Sequence, residues 1–206
     1  MPANASEWDL KHRAAAQGAP TEPASFVREM LPLLPVGPAL DLACGTGRHT
    51  MLLASRQQQV VAVDWSPVAL DILEHSARSL DFSVYRASSA DSGALNGAHG
   101  IRLVEADIES AVLPADSFSL ILCVQYLQRS LFSQIEQALR PGGVVLFETF
   151  TRAQLEFTGG PRNPVHLLEL GELRDAFPGL EVLFYRELRA GQGIASLVAR
   201  KPRGRR

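Results

Sequence analysis

The stretch Leu40-Asp41-Leu42-Ala43-Cys44-Gly45-Thr46-Gly47 decides how this chain is expected to fold. It places a short apolar strand, predicted over about 38–43, directly before a turn with two glycines. Glycines permit a sharp turn and let a ligand approach the backbone, because no Cβ stands in the way. A helix should follow through Met51, Leu52 and Ala54, and the free amides of its first turn would face the same ligand. The stretch therefore predicts a strand, a ligand-binding loop and a helix.

Apolar runs along the rest of the chain predict an α/β fold with seven strands. The strands are expected at 38–43, 59–64, 101–107, 118–124, 144–149, 180–186 and 195–200. Helical segments separate the first five, which favours parallel pairing, since parallel strands need a crossover connection. The last two are joined by a short connection and should pair antiparallel. Segment 81–100 is rich in Ser, Ala, Gly and Asn and is predicted to be a loop insertion, either a lid or a segment without function.

Two helix starts are predicted from their first residues. Ser66-Pro67 offers an N-cap serine and a proline at the first helical position. Ser130 is expected to cap a helix that runs through Leu139 and stops at Pro141-Gly142-Gly143. Both helices would follow a predicted strand, so each would begin at the carboxyl edge of the sheet.

Acidic residues close the next two predicted strands. Asp64 stands 19 residues after Gly45 and can accept both hydroxyls of a ribose, although an acid favoured by a helix dipole is the alternative. Asp107 can accept a hydrogen bond from an adenine amine, with a solvated loop acid as the alternative. The carboxyl ends of parallel strands border one crevice, so Asp41, Asp64 and Asp107 should converge on one ligand. Trp65 could lie on the face of an adenine.

The glycine spacing argues against two other kinds of nucleotide site. The position three after Gly47 is Thr50, where a dinucleotide-binding loop has its third glycine. No Gly-Lys-Ser/Thr ending follows, as a phosphate-binding P-loop would require. A nicotinamide-dependent oxidoreductase is therefore disfavoured.

Composition restricts the partners. The chain has 206 residues and a net charge of −2, which fits one domain over 1–206. Five of its 20 basic residues lie in 200–206, so the remainder holds 15 basic and 22 acidic residues, a net of −7. So acidic a body is a poor nucleic-acid surface, and the basic tail 201–206 is expected to be a solvated end. Segment 1–20, with Trp8 and His12, is a possible N-terminal lid, or else a disordered terminus.

The remaining composition predicts a cytoplasmic protein without a metal. The two cysteines and five scattered histidines show no metal-ligand spacing. No run reaches the roughly 18 apolar residues of a membrane span, and no secretory pattern is visible at the start.

Five segments together resemble the class I S-adenosylmethionine-dependent methyltransferases. They are LDLACGTGRH (40–49), VVAVDWS (60–66), VEADIE (104–109), FSLILCVQYL (118–127) and LRPGGVVLFETF (139–150). The resemblance covers about 25–200 and is greatest to a small bacterial branch that includes tellurite-resistance methyltransferases. It implies a Rossmann-like, seven-stranded, mostly parallel sheet with helices on both faces and an antiparallel final strand. It also implies S-adenosyl-L-methionine as the cofactor.

The resemblance assigns the cofactor to residues at the strand ends and in the glycine loop. These are Asp41, Ala43, Gly45, Gly47, Asp64, Trp65, Asp107, Ile108 and Cys123. Asp41 would organise the loop near the methionine amino group, and the small residues of the loop would cradle the methionine part. Asp64 would bind the ribose, Trp65 the adenine face, Asp107 the adenine amine, and the backbone of Ile108 the ring. The cysteine would border the methionine end with backbone atoms, its thiol being packed.

The acceptor is less defined than the donor. A general base is needed only if the acceptor must lose a proton, and the candidates are Tyr126, Glu148 and His166. Each of them could instead have a packing or structural role. Arg48 could meet an anionic acceptor or the cofactor carboxylate, or simply lie at the surface. The fourth strand is not followed by the Asn/Asp-Pro-Pro-aromatic segment of base methyltransferases, which favours a small-molecule acceptor. The alternative is a non-catalytic protein that binds S-adenosylmethionine.

Overall fold

The computed structural model describes residues 9–10, 22–87 and 100–204. Its strands are β1 (Ala39–Leu42), β2 (Val60–Asp64), β3 (Val84–Ala87), β4 (Ile101–Glu105), β5 (Phe118–Val124), β6 (Leu139–Phe150), β7 (Glu181–Arg189) and β8 (Gly193–Arg200). Its helices are α1 (Ser25–Met30), α2 (Arg48–Ser55), α3 (Pro67–Ser79), α4 (Leu131–Ala138) and α5 (Glu172–Asp175). Short 3₁₀ turns lie at Leu31–Leu33, Arg152–Glu156 and Pro164–His166.

The strands form one sheet in the order β3-β4-β2-β1-β5-β6-β8-β7. Strands β1 to β6 pair in parallel, and β8 runs antiparallel to both β6 and β7. The chain leaves β1 towards one edge and later returns to place β5 on the other side of β1. The sheet therefore has its switch point between β1 and β5, where an open α/β sheet leaves a crevice at the carboxyl ends of its strands.

Both faces of the sheet are covered by helices. All four residues of β1 are buried, as expected for a central parallel strand. Ala39 packs in the core beneath α1, α2 and α3, whereas Leu40 and Leu42 pack in the core that includes α4 and α5. The predicted mostly parallel sheet with helices on both faces and an antiparallel final strand is confirmed.

The two predicted helix starts differ in the structure. At α3, the Ser66 hydroxyl accepts a hydrogen bond from the Ala69 amide at 3.1 Å, with Pro67 in the first turn, as predicted. At α4, the Ser130 side chain makes no cap hydrogen bond, because its own backbone is already helical (φ −63°, ψ −17°). The helix ends at Ala138, one residue short of the predicted end.

Within the described residues the sheet has eight strands, so the prediction of seven was wrong in number. The extra strand is β3, which lies inside the segment 81–100 that was expected to be a loop. It pairs in parallel with β4 at the edge of the sheet, and only Val84 of its four residues is buried. Residues 88–99 of that segment lie outside the described residues. Strand β6 also begins earlier than predicted, because Leu139 pairs with Phe118 before an irregularity in the register.

Within the described ranges, no helix combines the length and the apolar character that a membrane crossing requires.

Candidate functional site

The loop between β1 and α2 is built from left-handed backbone. Ala43, Gly45 and Gly47 have φ angles of 53°, 54° and 86°. A Cβ on Gly47 would lie 2.1 Å from Cδ1 of Leu73, which is fully buried in α3. The Cys44 amide donates to the Val63 carbonyl at 3.0 Å, so the loop leaves the sheet only after β1 and β2 have finished pairing. Glycine at position 47 is therefore required both by the backbone and by the neighbouring helix.

Asp64 joins the loop to the start of α3. Its Oδ2 accepts the Gly45 amide at 2.7 Å, and its Oδ1 accepts the Ser66 amide at 2.9 Å. The residue is 8% exposed. A carboxylate has about four acceptor positions, so each oxygen retains one for a further donor. Asp64 thus fixes the crevice wall and still has acceptor capacity towards a ligand.

Asp41 lies beneath the loop instead of at its surface. Its Oδ2 accepts a hydrogen bond from the Thr50 hydroxyl of α2 at 2.6 Å, and the residue is 1% exposed. Burial and the charge of Asp64, opposed by the Thr50 hydrogen bond, together raise the pKa of Asp41 to about 7. The aspartate therefore connects the end of β1 to α2 directly.

Asp107 follows β4 and shapes the next turn. Its Oδ1 accepts the Glu109 amide at 3.0 Å and its Oδ2 accepts the Ser110 hydroxyl at 3.2 Å. Ile108 beside it is buried in the core under α4. Both positions are therefore held rigidly at the carboxyl edge, next to the strand that carries Asp64.

Tyr126 and Cys123 lie on the same side of the crevice as Asp107. Burial raises the pKa of the Tyr126 phenol, with further contributions from the charges of Glu109, Asp107 and Asp64. Tyr126 is thus placed near Glu109, Asp107 and Asp64. The Cys123 thiol is fully buried and lies 3.8 Å from the Tyr126 carbonyl, to which it donates; burial raises its pKa.

A set of hydrogen-bonded polar residues lies across the switch point between β1 and β5. The Arg48 guanidinium, at the start of α2, donates to the Gln125 side-chain oxygen at 3.1 Å. Gln125 follows β5 with a left-handed φ of 61°, and its amide donates to the Glu148 carbonyl at 2.7 Å. The Glu148 carboxylate accepts a hydrogen bond from the buried Ser196 hydroxyl at 2.6 Å. These contacts connect the end of the glycine loop to the ends of β5, β6 and β8.

His166 lies in a short turn that follows β6 in the chain. It is exposed in the 3₁₀ turn Pro164–His166. Arg129 holds this turn by donating to the carbonyls of Val165 and Leu167, both at 2.9 Å, and by an ion pair with Glu172. These contacts hold the turn, and among the described residues no hydrogen bond or ion pair joins the His166 side chain to Asp64, Tyr126 or Glu148.

Sequence reasoning missed His49. Its Nε2 accepts the Ala24 amide at 3.2 Å, which fixes the start of α1 against α2. Burial and, to a smaller extent, the charge of Arg48 together lower the pKa of His49 to about 3, so the ring is neutral. Nothing in the local pattern signals this contact, because its partner is 25 residues away.

Segment 1–20 meets the crevice at one described point. The Ser66 hydroxyl donates a hydrogen bond to the carboxylate of Asp9. Ser66 follows Trp65, which is partly exposed, and its amide is bound by Asp64. Trp8 and His12 lie outside the described residues, so an N-terminal lid stays a prediction.

The fold and the crevice define a class of α/β proteins that bind a nucleoside cofactor at the carboxyl ends of their strands. The methyltransferase-domain family model matches residues 39–143, which is half of the chain and spans β1 to the start of β6. The chain therefore belongs to the methyltransferase-domain family, and its cofactor is S-adenosylmethionine.

Relatives and solved structures agree with this assignment. Two Mycobacterium tuberculosis proteins named as methyltransferases, from strains CDC 1551 and H37Rv, are each 31% identical over 173 residues. The matches cover 72% of this chain and only 37% of the relatives, so the chain spans about a third of their length.

Three solved structures are similar in fold. TehB from Haemophilus influenzae has a TM-score of 0.70 at 17% identity over 91% of this chain and 65% of its own. An S-adenosylmethionine-dependent methyltransferase from Mesorhizobium loti has a TM-score of 0.64 at 19% identity, over 85% and 96%. The [4+2]-cyclase SpnF has a TM-score of 0.65 at 20% identity, over 87% and 79%. A cyclase among these neighbours shows that the fold alone does not fix the reaction.

Proposed function

We propose that this chain transfers the methyl group of S-adenosylmethionine to a small-molecule acceptor by in-line displacement. The observation that carries the proposal is the arrangement of Asp64, whose two oxygens hold the Gly45 and Ser66 amides while each keeps one acceptor position. A ribose presents two adjacent hydroxyl donors, which match those two positions. This carboxylate therefore supports the proposal that the crevice binds a nucleoside.

The other donor contacts are assigned along the same edge of the sheet. The left-handed loop of Ala43, Gly45 and Gly47 would cradle the methionine part, with Asp41 holding the loop from below. A Cβ at position 47 would collide with Leu73 of α3, so the packing between the loop and α3 requires glycine at that point. On the other side of Asp64, the adenine would lie against Trp65, the carboxylate of Asp107 and the backbone of Ile108. The Cys123 backbone would border the methionine end.

Charge supports a cationic cofactor. The charges of Asp64 and Asp107 both raise the pKa of Tyr126, and the charge of Asp64 raises the pKa of Asp41. The three carboxyl groups therefore share one region of the crevice. S-Adenosylmethionine supplies a methyl group that is activated by a sulfonium. The positive charge on the sulfur is lost as the methyl leaves. The residues of this chain then have to orient the acceptor in line with the bond that breaks and keep water out.

A small-molecule acceptor is supported by the charge of the chain. Without the basic segment 200–206 the net charge is −7, which opposes binding of a polyanion. The absence of a nucleic-acid partner and the cytoplasmic location both remain predictions.

The proposal is tested by two measurements on the purified chain. Calorimetry with S-adenosylmethionine should show binding, and NAD should show none. S-Adenosylhomocysteine should then form when a panel of small amines, alcohols and thiols is added. Binding without turnover on any acceptor would favour the non-catalytic alternative, whereas binding of NAD in place of S-adenosylmethionine would refute the proposal entirely.

A further inference from the structure

We infer that Glu148 accepts the acceptor's proton during methyl transfer, and hence that the acceptor is a nucleophile with an exchangeable proton: an amine, a hydroxyl or a thiol. This inference rests on the proposed function, because it assumes that the crevice binds the donor. It goes further by choosing one side chain and one chemical class of acceptor.

The position of Glu148 is set by the sheet. It stands near the carboxyl end of β6, opposite Val124 of β5 on one side and Ser196 of β8 on the other. Leu146, two residues earlier, packs in the core beneath α1 to α3, so Glu148 faces the same side by strand alternation. That is also the side on which Asp41 meets α2. The Glu148 carboxylate therefore lies at the edge that carries the donor loop.

The carboxylate is held in one orientation. Its Oε2 accepts the Ser196 hydroxyl at 2.6 Å, and Ser196 is fully buried. The backbone carbonyl of Glu148 accepts a hydrogen bond from the Gln125 amide at 2.7 Å. Gln125 in turn accepts a hydrogen bond from Arg48, the residue that follows Gly47 of the donor loop. One unbroken set of contacts thus positions Glu148 relative to the donor loop.

Three charged side chains act on Glu148. They are Arg48 of α2, Arg186 of β7 and Glu29 of α1. Burial raises the pKa of Glu148, the Ser196 hydrogen bond and Arg186 lower it, Glu29 raises it, and Arg48 lowers it. The net direction is upward, which makes this carboxylate a better proton acceptor than an exposed glutamate.

The two other candidates are less suited to the role. The Tyr126 phenol lies by Asp107 and Glu109, and its raised pKa keeps it protonated and unable to accept a proton. His166 is exposed in a surface turn, which Arg129 holds by donating to the carbonyls of Val165 and Leu167 on either side of the histidine. Of the three, Glu148 alone is both buried and connected to the donor loop.

The proposed step balances in atoms and charge. A lone pair on the acceptor nitrogen, oxygen or sulfur forms the new bond to the methyl carbon. The carbon–sulfur bond of the donor breaks, and its electron pair stays on sulfur as neutral S-adenosylhomocysteine. The acceptor's proton passes to the Glu148 carboxylate, which later releases it to water.

The first test compares Glu148→Gln with Glu181→Gln. Glutamine keeps the size of the side chain and an oxygen for the Ser196 hydroxyl, but it cannot take a proton. Glu181 is an exposed glutamate at the start of β7, paired with Arg200, and serves as the matched control. Donor affinity should be unchanged in both variants. Turnover with proton-bearing acceptors should fall roughly 100-fold or more in Glu148→Gln alone, as expected for loss of a general base.

Acceptor class is tested with matched probes on the wild-type chain. Benzylamine and benzyl mercaptan carry an exchangeable proton, whereas N,N-dimethylbenzylamine and benzyl methyl sulfide do not. S-Adenosylhomocysteine should form with members of the first kind, in a panel extended to alcohols and phenols. Turnover only with probes that lack the proton would overturn the inference, and so would no turnover with any proton-bearing probe.

A second readout does not depend on the acceptor. Carboxyl-¹³C NMR of glutamate-labelled protein should show one resonance that titrates above the ordinary glutamate range and disappears in Glu148→Gln. Ser196→Ala should raise its midpoint further, because it removes a hydrogen bond to the ionised form. An ordinary or lowered midpoint contradicts the inference even if the donor binds. Failure of the donor to bind would instead refute the proposed function.

Discussion

Replacement of Gly47 by alanine should destabilise the fold by an amount that the structure allows us to work out. Gly47 has a φ of 86°, and a left-handed conformation costs alanine about 1–2 kcal/mol. The new Cβ would lie 2.1 Å from Cδ1 and 2.8 Å from Cδ2 of Leu73. Leu73 is fully buried and cannot swing into solvent, so overpacking adds about 1–3 kcal/mol. The free energy of unfolding should therefore fall by about 2–5 kcal/mol.

The measurement is urea unfolding of Gly47→Ala beside Gly191→Ala. Gly191 has a similar φ of 75°, but its added Cβ would have no atom within 4 Å. The free energy of unfolding of that control should fall only by the cost of the left-handed conformation, about 1–2 kcal/mol. Equal losses in the two variants would refute the argument that the donor loop is packed against α3 at this point.

Two further predictions concern Asp41 and Arg129. Because burial raises the pKa of Asp41 from 3.8 to about 7, the folded state holds its proton more tightly than the unfolded state. Its contribution to stability is thus complete below about pH 4 and is lost as pH rises to about 7, by roughly 4 kcal/mol in all. Asp41→Asn should flatten this part of the pH profile of urea unfolding, and an unchanged slope would contradict the buried, protonated state. Arg129→Ala should speed amide hydrogen exchange in 163–172, since the carbonyls of Val165 and Leu167 and the Glu172 carboxylate lose their donor. Exchange as slow as in the wild type would show that the turn is held by other contacts.

The central strands could be predicted from sequence because they are buried on both faces. Val60–Asp64 is an uninterrupted run whose five residues are all buried, and it was predicted to within one residue. Val84–Ala87 was missed because it lies at the sheet edge with one buried residue, inside a segment of small and polar residues. Such a strand is specified by pairing with β4 more than by its own pattern.

The same division applies to the candidate site. Asp41 and Asp64 lie at the ends of predicted strands, and the parallel order of the sheet alone was enough to bring them together. The Arg48–Gln125 hydrogen bond joins residues 77 apart in the chain, and Gln125 has a left-handed backbone. No local signal could indicate such a contact. The position of Tyr126 near Glu109 and Asp107 likewise depends on tertiary packing.

The most direct test of the account is the affinity of Asp64→Ala for S-adenosylmethionine, measured by calorimetry. Loss of two charge-assisted hydrogen bonds at about 1.5–3 kcal/mol each should weaken binding by roughly 100-fold or more. Asp71→Ala is the control, because Asp71 is an exposed acid on α3. Among the ion pairs of the described residues, Asp71 pairs only with Arg86. The account predicts unchanged affinity for Asp71→Ala and a large loss for Asp64→Ala in protein that is still folded. Equal affinity in the two variants would contradict the assignment of the crevice to the donor.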